Sequence, residues 1–213
     1  MEYQLDGISQ VQVFEDIGLT FASSLRSILR QDPDILLIGE IRDSETADIA
    51  VKFSLTGHLV FSTVHANDAS STITRLLDIG IPPFLVGSCV NLVMAQRLVR
   101  RLCKECCEEY EPSDQDLYVV GLDKKRLKGS KLRKPKGCRK CRNTGYRGRT
   151  AIFELIPMSR DIRRLIFNGS NEDEIRAKAL EHGMISLRES GLRKVLDGTT
   201  SVQEILRSTV EEI

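Results

Sequence analysis

Two groups of residues have the types and spacing that chemistry requires. The first is Asp34-Ile-Leu-Leu-Ile-Gly-Glu40-Ile-Arg42-Asp43, where four apolar residues end in a glycine and then a carboxylate, an arginine and another carboxylate. A short apolar run bounded by Pro33 and Gly39 fits a central parallel strand with both faces covered, and ligands gather outside the carboxyl ends of such strands. Glu40 would stand at that end. In nucleotide hydrolases an acid so placed holds magnesium or orients the attacking water, because phosphoryl transfer needs positioning and charge neutralisation more than covalent chemistry. An ordinary strand followed by a charged loop would show the same short pattern.

The second group is Cys103-Lys-Glu-Cys106 and Cys138-Arg-Lys-Cys141, two C-x-x-C pairs with 31 residues between them. A two-residue gap lets one tight turn aim both sulfurs at a single ion, and two such knuckles complete the closed tetrahedral thiolate shell of structural zinc. No ligand position then remains for catalysis. The intervening loop is longer than in common zinc ribbons, and a dithiol redox pair is the competing use of such cysteines. Cys107 reads as a bystander beside the first knuckle and Cys89 as a small core residue.

These groups need elements to hold them. Thr20 can cap a helix through Gln31 that places Phe21, Leu25, Ile28 and Leu29 on one side. Arg26 and Arg30 are spaced i, i+4 and share a face, where they either point at one anion or stay in solvent. Val11 to Phe14 hints at an earlier strand. Beyond Glu40, Ser44 starts a helix through Leu55 that stops at Gly57, and His58 to Thr63 reads as a second buried strand. Ser62-Thr63-Val64-His65-Ala66-Asn67-Asp68 follows, putting two hydroxyls, an imidazole, an amide and a carboxylate where a parallel sheet would present them beside Glu40. His65 is as readily structural as catalytic, and Asn67 or Asp68 could simply cap the helix running to Asp78. Pro82 and Pro83 predict a helix extending to about Arg101. After the second knuckle, Arg149 to Leu155 is expected to be a strand. Helices are expected over Ile162–Phe167, Asn171–His182, Leu187–Leu196 and Ser201–Leu206, with reciprocal caps at Asn171-x-x-Glu174 and Ser201-x-x-Glu204.

The 213 residues and a hydrophobic fraction of 41% allow a real core. Net charge is +1, which gives the whole chain no electrostatic preference for nucleic acid or membrane. The charge is segregated, however: residues 97–149 carry 17 lysines and arginines against 7 acids, and residues 124–142 carry 11 basic residues with no acid. Such a basic loop is either solvated or binds an acidic partner. With only scattered tyrosines nearby it lacks a stacking platform, and nucleic acid is not expected. No run approaches the roughly 18 apolar residues of a membrane-spanning helix. Met1-Glu2-Tyr3-Gln4 lacks the regions of a signal peptide, so the cytosol, where thiols stay reduced, is the expected compartment.

Taken in order, Leu25-Arg26 to Asp34, Gly39-Glu40-Ile-Arg42-Asp43, Leu55-Thr-Gly-His58, Ser62 to Ala69, Gln96-Arg-Leu and the paired knuckles closely resemble the C-terminal part of the type II secretion and type IV pilus assembly ATPases. The resemblance covers nearly the whole chain. It implies an α/β fold, a partial RecA-like P-loop NTPase sheet with a four-cysteine zinc insertion and a helical C-terminal region. Residues 1–98 would be the C-terminal half of the ATPase domain, 99–148 the zinc insertion and 149–213 the helical subdomain. Glu40 would be the catalytic acid of the Walker B strand, and His65 would belong to the His box. Glu2 would be the last carboxylate of an acidic box, and Arg26 and Arg30 would contact nucleotide phosphate. Implied cofactors are ATP with Mg2+ and structural Zn2+. Implied partners are further copies in a homo-hexamer and platform proteins at the inner membrane.

One departure from the family pattern bears on activity. The chain contains no G-x-x-x-x-G-K-[ST], the loop whose backbone amides cradle phosphates. The expectation is therefore a piece that starts midway through the ATPase domain, with an exposed sheet edge and apolar surface, and silent in hydrolysis by itself.

Overall fold

In a computed structural model, residues 3–122, 124–127 and 131–209 are described. The chain runs α1 (Phe21–Ile28), β1 (Ile35–Ile38), α2 (Ser44–Leu55), β2 (Leu59–Ser62), α3 (Ala69–Asp78), α4 (Pro83–Cys89), β3 (Leu92–Leu102), β4 (Glu108–Tyr110), α5 (Asp114–Val120) and α6 (Lys124–Leu127). It continues with β5 (Leu132–Lys134), β6 (Tyr146–Pro157), α7 (Arg160–Phe167), α8 (Glu172–Glu181), α9 (Leu187–Leu196) and α10 (Val202–Ser208). Packing divides it into two units, residues 1–91 with 158–176 and residues 92–157 with 177–213.

In the first unit β1 and β2 pair in parallel, Ile35 opposite Leu59 through Ile38 opposite Ser62. Helix α2 connects them, as a parallel crossover requires. Side chains alternate along β1. Leu36 and Ile38 are buried, while Ile35 is 62% and Leu37 73% exposed. The expectation of a strand covered on both faces is corrected here: the apolar run supplies two faces, and among the described residues only one is packed. The starts of α1, α2 and α3 each have a side chain that satisfies otherwise orphaned amides. Thr20 and Ser23 cap each other at α1, Asp43 accepts from the Thr46 amide at α2, and Asp68 and Ser71 cap each other at α3. Val11 to Phe14 form no strand, only a single bridge between Phe14 and Leu19. The described residues contain no helix long and apolar enough to cross a membrane.

The second unit is built on a long antiparallel pair, β3 with β6, running from Leu92 opposite Pro157 to Leu102 opposite Tyr146. Its buried face, with Val99 and Ile152, meets α9 and α10 through Leu192, Val195 and Ile205. Gly191 makes the approach of α10 possible, since a Cβ there would sit 2.7 Å from Ile205. The predicted helix over Pro82–Arg101 is also corrected. It ends at Cys89, Val90 turns extended, and β3 begins at Leu92. Met94-Ala-Gln-Arg-Leu98 has high helix propensity, but pairing with β6 overrides it.

The four C-terminal helices stand where periodicity put them. Asn171 and Glu174 cap reciprocally, each accepting from the other's amide. At Ser201 the exchange is one-way: its hydroxyl accepts from the Glu204 amide, while the Glu204 carboxylate goes to Arg100 and Arg207.

Candidate functional site

Gly39 follows β1 and Thr63 follows β2, so the residues after them leave adjacent parallel strands at the same end. That placement brings Glu40 and His65 together, 25 residues apart in sequence. His65 Nε2 lies 3.0 Å from Glu40 Oε2. The other carboxylate oxygen of Glu40 takes an ion pair from Arg42 at 2.6 Å. Arg42, in the same motif, had no role in the sequence reading; its position two residues beyond the acid was the available signal. The Glu40 side chain is 21% exposed and that of His65 83%, so a largely covered acid is flanked by an imidazole open to solvent.

The hydrogen bond from Arg42 lowers the pKa of Glu40. Burial opposes that effect and His65 adds to it. Glu40 is therefore ionised at neutral pH, the state needed by a magnesium ligand or an acceptor that orients water, and unlike a proton donor.

The loops around this pair are fixed by their helices. Asp68 takes hydrogen bonds from Ser70 and Ser71 and an ion pair from Arg176 at 3.8 Å. Burial raises the Asp68 pKa, but the Ser71 and Ser70 bonds outweigh it and the net shift is downward. Its capping role accounts for this chemistry. His58 stacks on Phe53 at 4.1 Å and places Nδ1 2.8 Å from Thr56 Oγ1, a structural arrangement.

Arg26 and Arg30 are placed otherwise. Arg26 forms an exposed ion pair with Glu45. Arg30 lies past the end of α1, in a 3-10 turn, with Nη2 3.5 Å from Ser27 Oγ. Glu2 lies outside the described residues.

In the second unit the Sγ atoms of Cys103, Cys106, Cys138 and Cys141 all lie within 4.8 Å of one another. Cys103 and Cys138 are 4.0 Å apart, and Cys106 and Cys141 3.8 Å. A tetrahedral ion with metal–sulfur bonds of about 2.3 Å needs sulfurs about 3.8 Å apart, and the two pairs at 3.8 and 4.0 Å lie close to that spacing. Each knuckle is a tight turn, with the Cys106 and Cys107 amides donating to the Cys103 carbonyl and the Cys141 amide to the Cys138 carbonyl. The amides of Cys138 and Gly145 donate to Cys141 Sγ at 3.1 and 3.2 Å. Burial pushes the Cys141 thiol up, but these two amides and the neighbouring thiols hold it down to about 6. Gly145 needs its missing side chain, with φ of 75° and a Cβ that would overlap Pro135 at 2.3 Å. Cys107 stays outside the cage. Cys89 is half-buried, and burial raises its thiol pKa, the behaviour of a packing residue.

The family model described as "Type II/IV secretion system protein" matches residues 1–207. The chain belongs to that family. Among curated members of the type II/IV secretion system family it is 48% identical over 213 residues to the type IV pilus assembly ATPase PilB of Myxococcus xanthus, covering 100% of this chain and 38% of that protein. It is 50% identical over 212 residues to type II secretion system protein E of Pseudomonas aeruginosa, covering 100% of this chain and 42% of that one. The chain thus spans about two-fifths of these relatives. Among solved structures, the pilus retraction motor PilT with bound ADP aligns at TM-score 0.61 and 23% identity over 91% of this chain and 45% of PilT. The ATPase DotB of Legionella pneumophila aligns at 0.59 and 19% over 87% of this chain and 41% of DotB. At these identities the two structures establish the fold alone.

Proposed function

We propose that these residues form the hydrolytic portion of a hexameric ATPase motor that drives protein secretion or type IV pilus assembly. The 3.0 Å approach of His65 to Glu40 at the ends of neighbouring parallel strands carries this reading. Bound ATP with Mg2+ supplies the phosphoryl group and the charge that neutralises it. Glu40 accepts a hydrogen bond from the attacking water and orients it. His65 holds the second carboxylate oxygen. Arg26 and Arg30 reach the phosphates, Arg26 leaving Glu45 to do so, and Glu2 belongs to the same set. The four cysteines hold structural zinc, whose closed shell fixes β3, β6 and the two knuckles as one body. Platform proteins at the inner membrane are the partners, reached from the cytoplasmic side.

A second reading is supported by the lack of a G-x-x-x-x-G-K-[ST] sequence in these 213 residues: alone, they act as a catalytically silent zinc-containing interaction module.

A chimera separates the two. Residues 1–213 replace the portion they match in Myxococcus xanthus PilB, and Mg2+-dependent ATP hydrolysis is measured beside the isolated chain. The motor reading expects hydrolysis by the chimera, lost in Glu40→Gln, with none from the isolated chain. A folded, nucleotide-binding chimera without turnover would leave the interaction module.

A further inference from the structure

Thr63 bonds to the Glu40 loop on both sides of Glu40. If the pairing of Ile38 with Ser62 ran on unchanged, Gly39 would face Thr63 and the Glu40 amide would donate to the Thr63 carbonyl. The amide of Ile41 donates there instead, at 3.0 Å. One extra residue therefore stands on the β1 side at Gly39–Glu40. This is the arrangement of a bulge, which bends a strand and re-aims a side chain. Thr63 Oγ1 then donates to the Gly39 carbonyl at 2.6 Å. The two bonds from one residue bracket Glu40, and the carboxylate between them meets His65, two residues beyond Thr63, at 3.0 Å. Thr63 is itself exposed, so core packing does not account for a threonine there.

We propose that Thr63 is a positioning residue: its hydroxyl and carbonyl lock the bulge at Gly39–Glu40 and thereby hold the Glu40 carboxylate against His65. The consequence for turnover rests on the hydrolytic reading above; the positional claim concerns the 213-residue chain alone. Valine preserves the shape of threonine and removes the hydroxyl, leaving the Gly39 carbonyl without this donor, and serine restores it. Loss of the bond frees the bulge to relax toward the regular register, which turns Glu40 away. Misplacement of a reacting group by about 1 Å is enough for a rate loss of roughly a hundredfold.

Two measurements test this. In the isolated chain, carbon NMR follows the Glu40 carboxyl through its titration and amide NMR follows Ile41. In Thr63→Val the Glu40 midpoint should rise toward its ordinary value of 4.5 and the Ile41 amide should shift, and both should return in Thr63→Ser. A folded Thr63→Val with both signals unchanged overturns the proposal; if valine prevents folding, Thr63→Ala carries the same comparison. In the chimera, Thr63→Val should lower kcat by roughly a hundredfold with KM for ATP unchanged, and Thr63→Ser should rescue it. An active chimera whose Thr63→Val variant turns over normally also overturns it. An inactive parent chimera overturns the hydrolytic reading instead, and the titration still decides the positional claim.

Discussion

Glu204 has a fully buried carboxylate, and it takes the backbone amide of Arg100 at 2.9 Å and the Arg100 guanidinium at 2.9 and 2.7 Å. Arg207 adds two further hydrogen bonds, at 3.1 and 2.7 Å. Burial alone would raise the Glu204 pKa, but Arg207 and then Arg100 outweigh it and bring it down to about 2. Arg100 also lies over the Tyr146 ring at 4.1 Å, and the Tyr146 hydroxyl is 2.6 Å from Ser201 Oγ at the start of α10. A single acid thus ties β3, β6 and α10 together.

The sign of the pH dependence follows from that depression. With a folded pKa below the unfolded one, the stabilisation is complete above about 4.5 and is lost as pH falls from there through about 2. Its size is of order 3 kcal/mol. Urea unfolding should show the second unit weakening across that window. Glu204→Gln should destabilise by about 2–3 kcal/mol at pH 7, and its difference from the parent should shrink at pH 3. A difference independent of pH would show that the buried charge is not responsible.

The cysteine cage is joined to the same region. The Cys103 amide donates to the Gly145 carbonyl, the Leu102 amide to the Thr199 carbonyl, and Thr200 Oγ1 to the Arg100 carbonyl at 2.7 Å. Elemental analysis should find roughly one zinc per chain. Cys138→Ser, or a strong chelator, should remove it and lower the melting temperature. Hydrogen exchange should rise at β3, β6 and α10 together. A metal-free mutant with parental melting and exchange would leave the cage without a structural role.

How much of this was legible in the sequence depended on whether the signal was local. Cys103, Cys106, Cys138 and Cys141 could be grouped because each pair shares one turn. Glu40 and His65 could be paired because two apolar runs, each followed by polar residues, fit parallel strands. The family resemblance had the correct membership for the same reason: its motifs are short and ordered. What failed was non-local. Leu92–Leu102 reads locally as helix and becomes strand only because Tyr146–Pro157 lies beside it. Ser201-x-x-Glu204 has the form of a reciprocal cap, but Arg100, 104 residues from Glu204, takes the carboxylate. The contribution of Thr63 was hidden because a hydroxyl closing a bulge leaves no periodic mark.

Glu40→Gln should leave folding intact, because the substitution removes only surface-facing polar contacts with Arg42 and His65. In the chimera it should lower ATP turnover by about 10²–10⁴-fold. Arg26→Ala should lower turnover as well, without loss of stability, since its exposed pair with Glu45 contributes at most about 1 kcal/mol. Steady-state hydrolysis and thermal melting of the same preparations check both. A melting loss that parallels the activity loss would show that the residues act through the fold.

The open face of β1 and β2 leads to the last expectation. Ile35, Leu37, Leu59 and Phe61 are 62, 73, 45 and 52% exposed, and adjacent pairing sets Leu37 opposite Phe61. Contiguous apolar surface on a sheet drives association, because covering it removes that area from water at about 25 cal/mol per Å². The isolated chain should therefore self-associate as concentration rises, and more strongly in sulfate, which strengthens apolar burial. Leu37→Glu or Phe61→Lys should shift sedimentation toward the monomer without lowering the melting temperature, since neither side chain is buried in the core. Sedimentation velocity over a concentration series decides the matter: a chain that stays monomeric throughout, or single variants that associate as strongly as the parent, would show that another surface governs assembly.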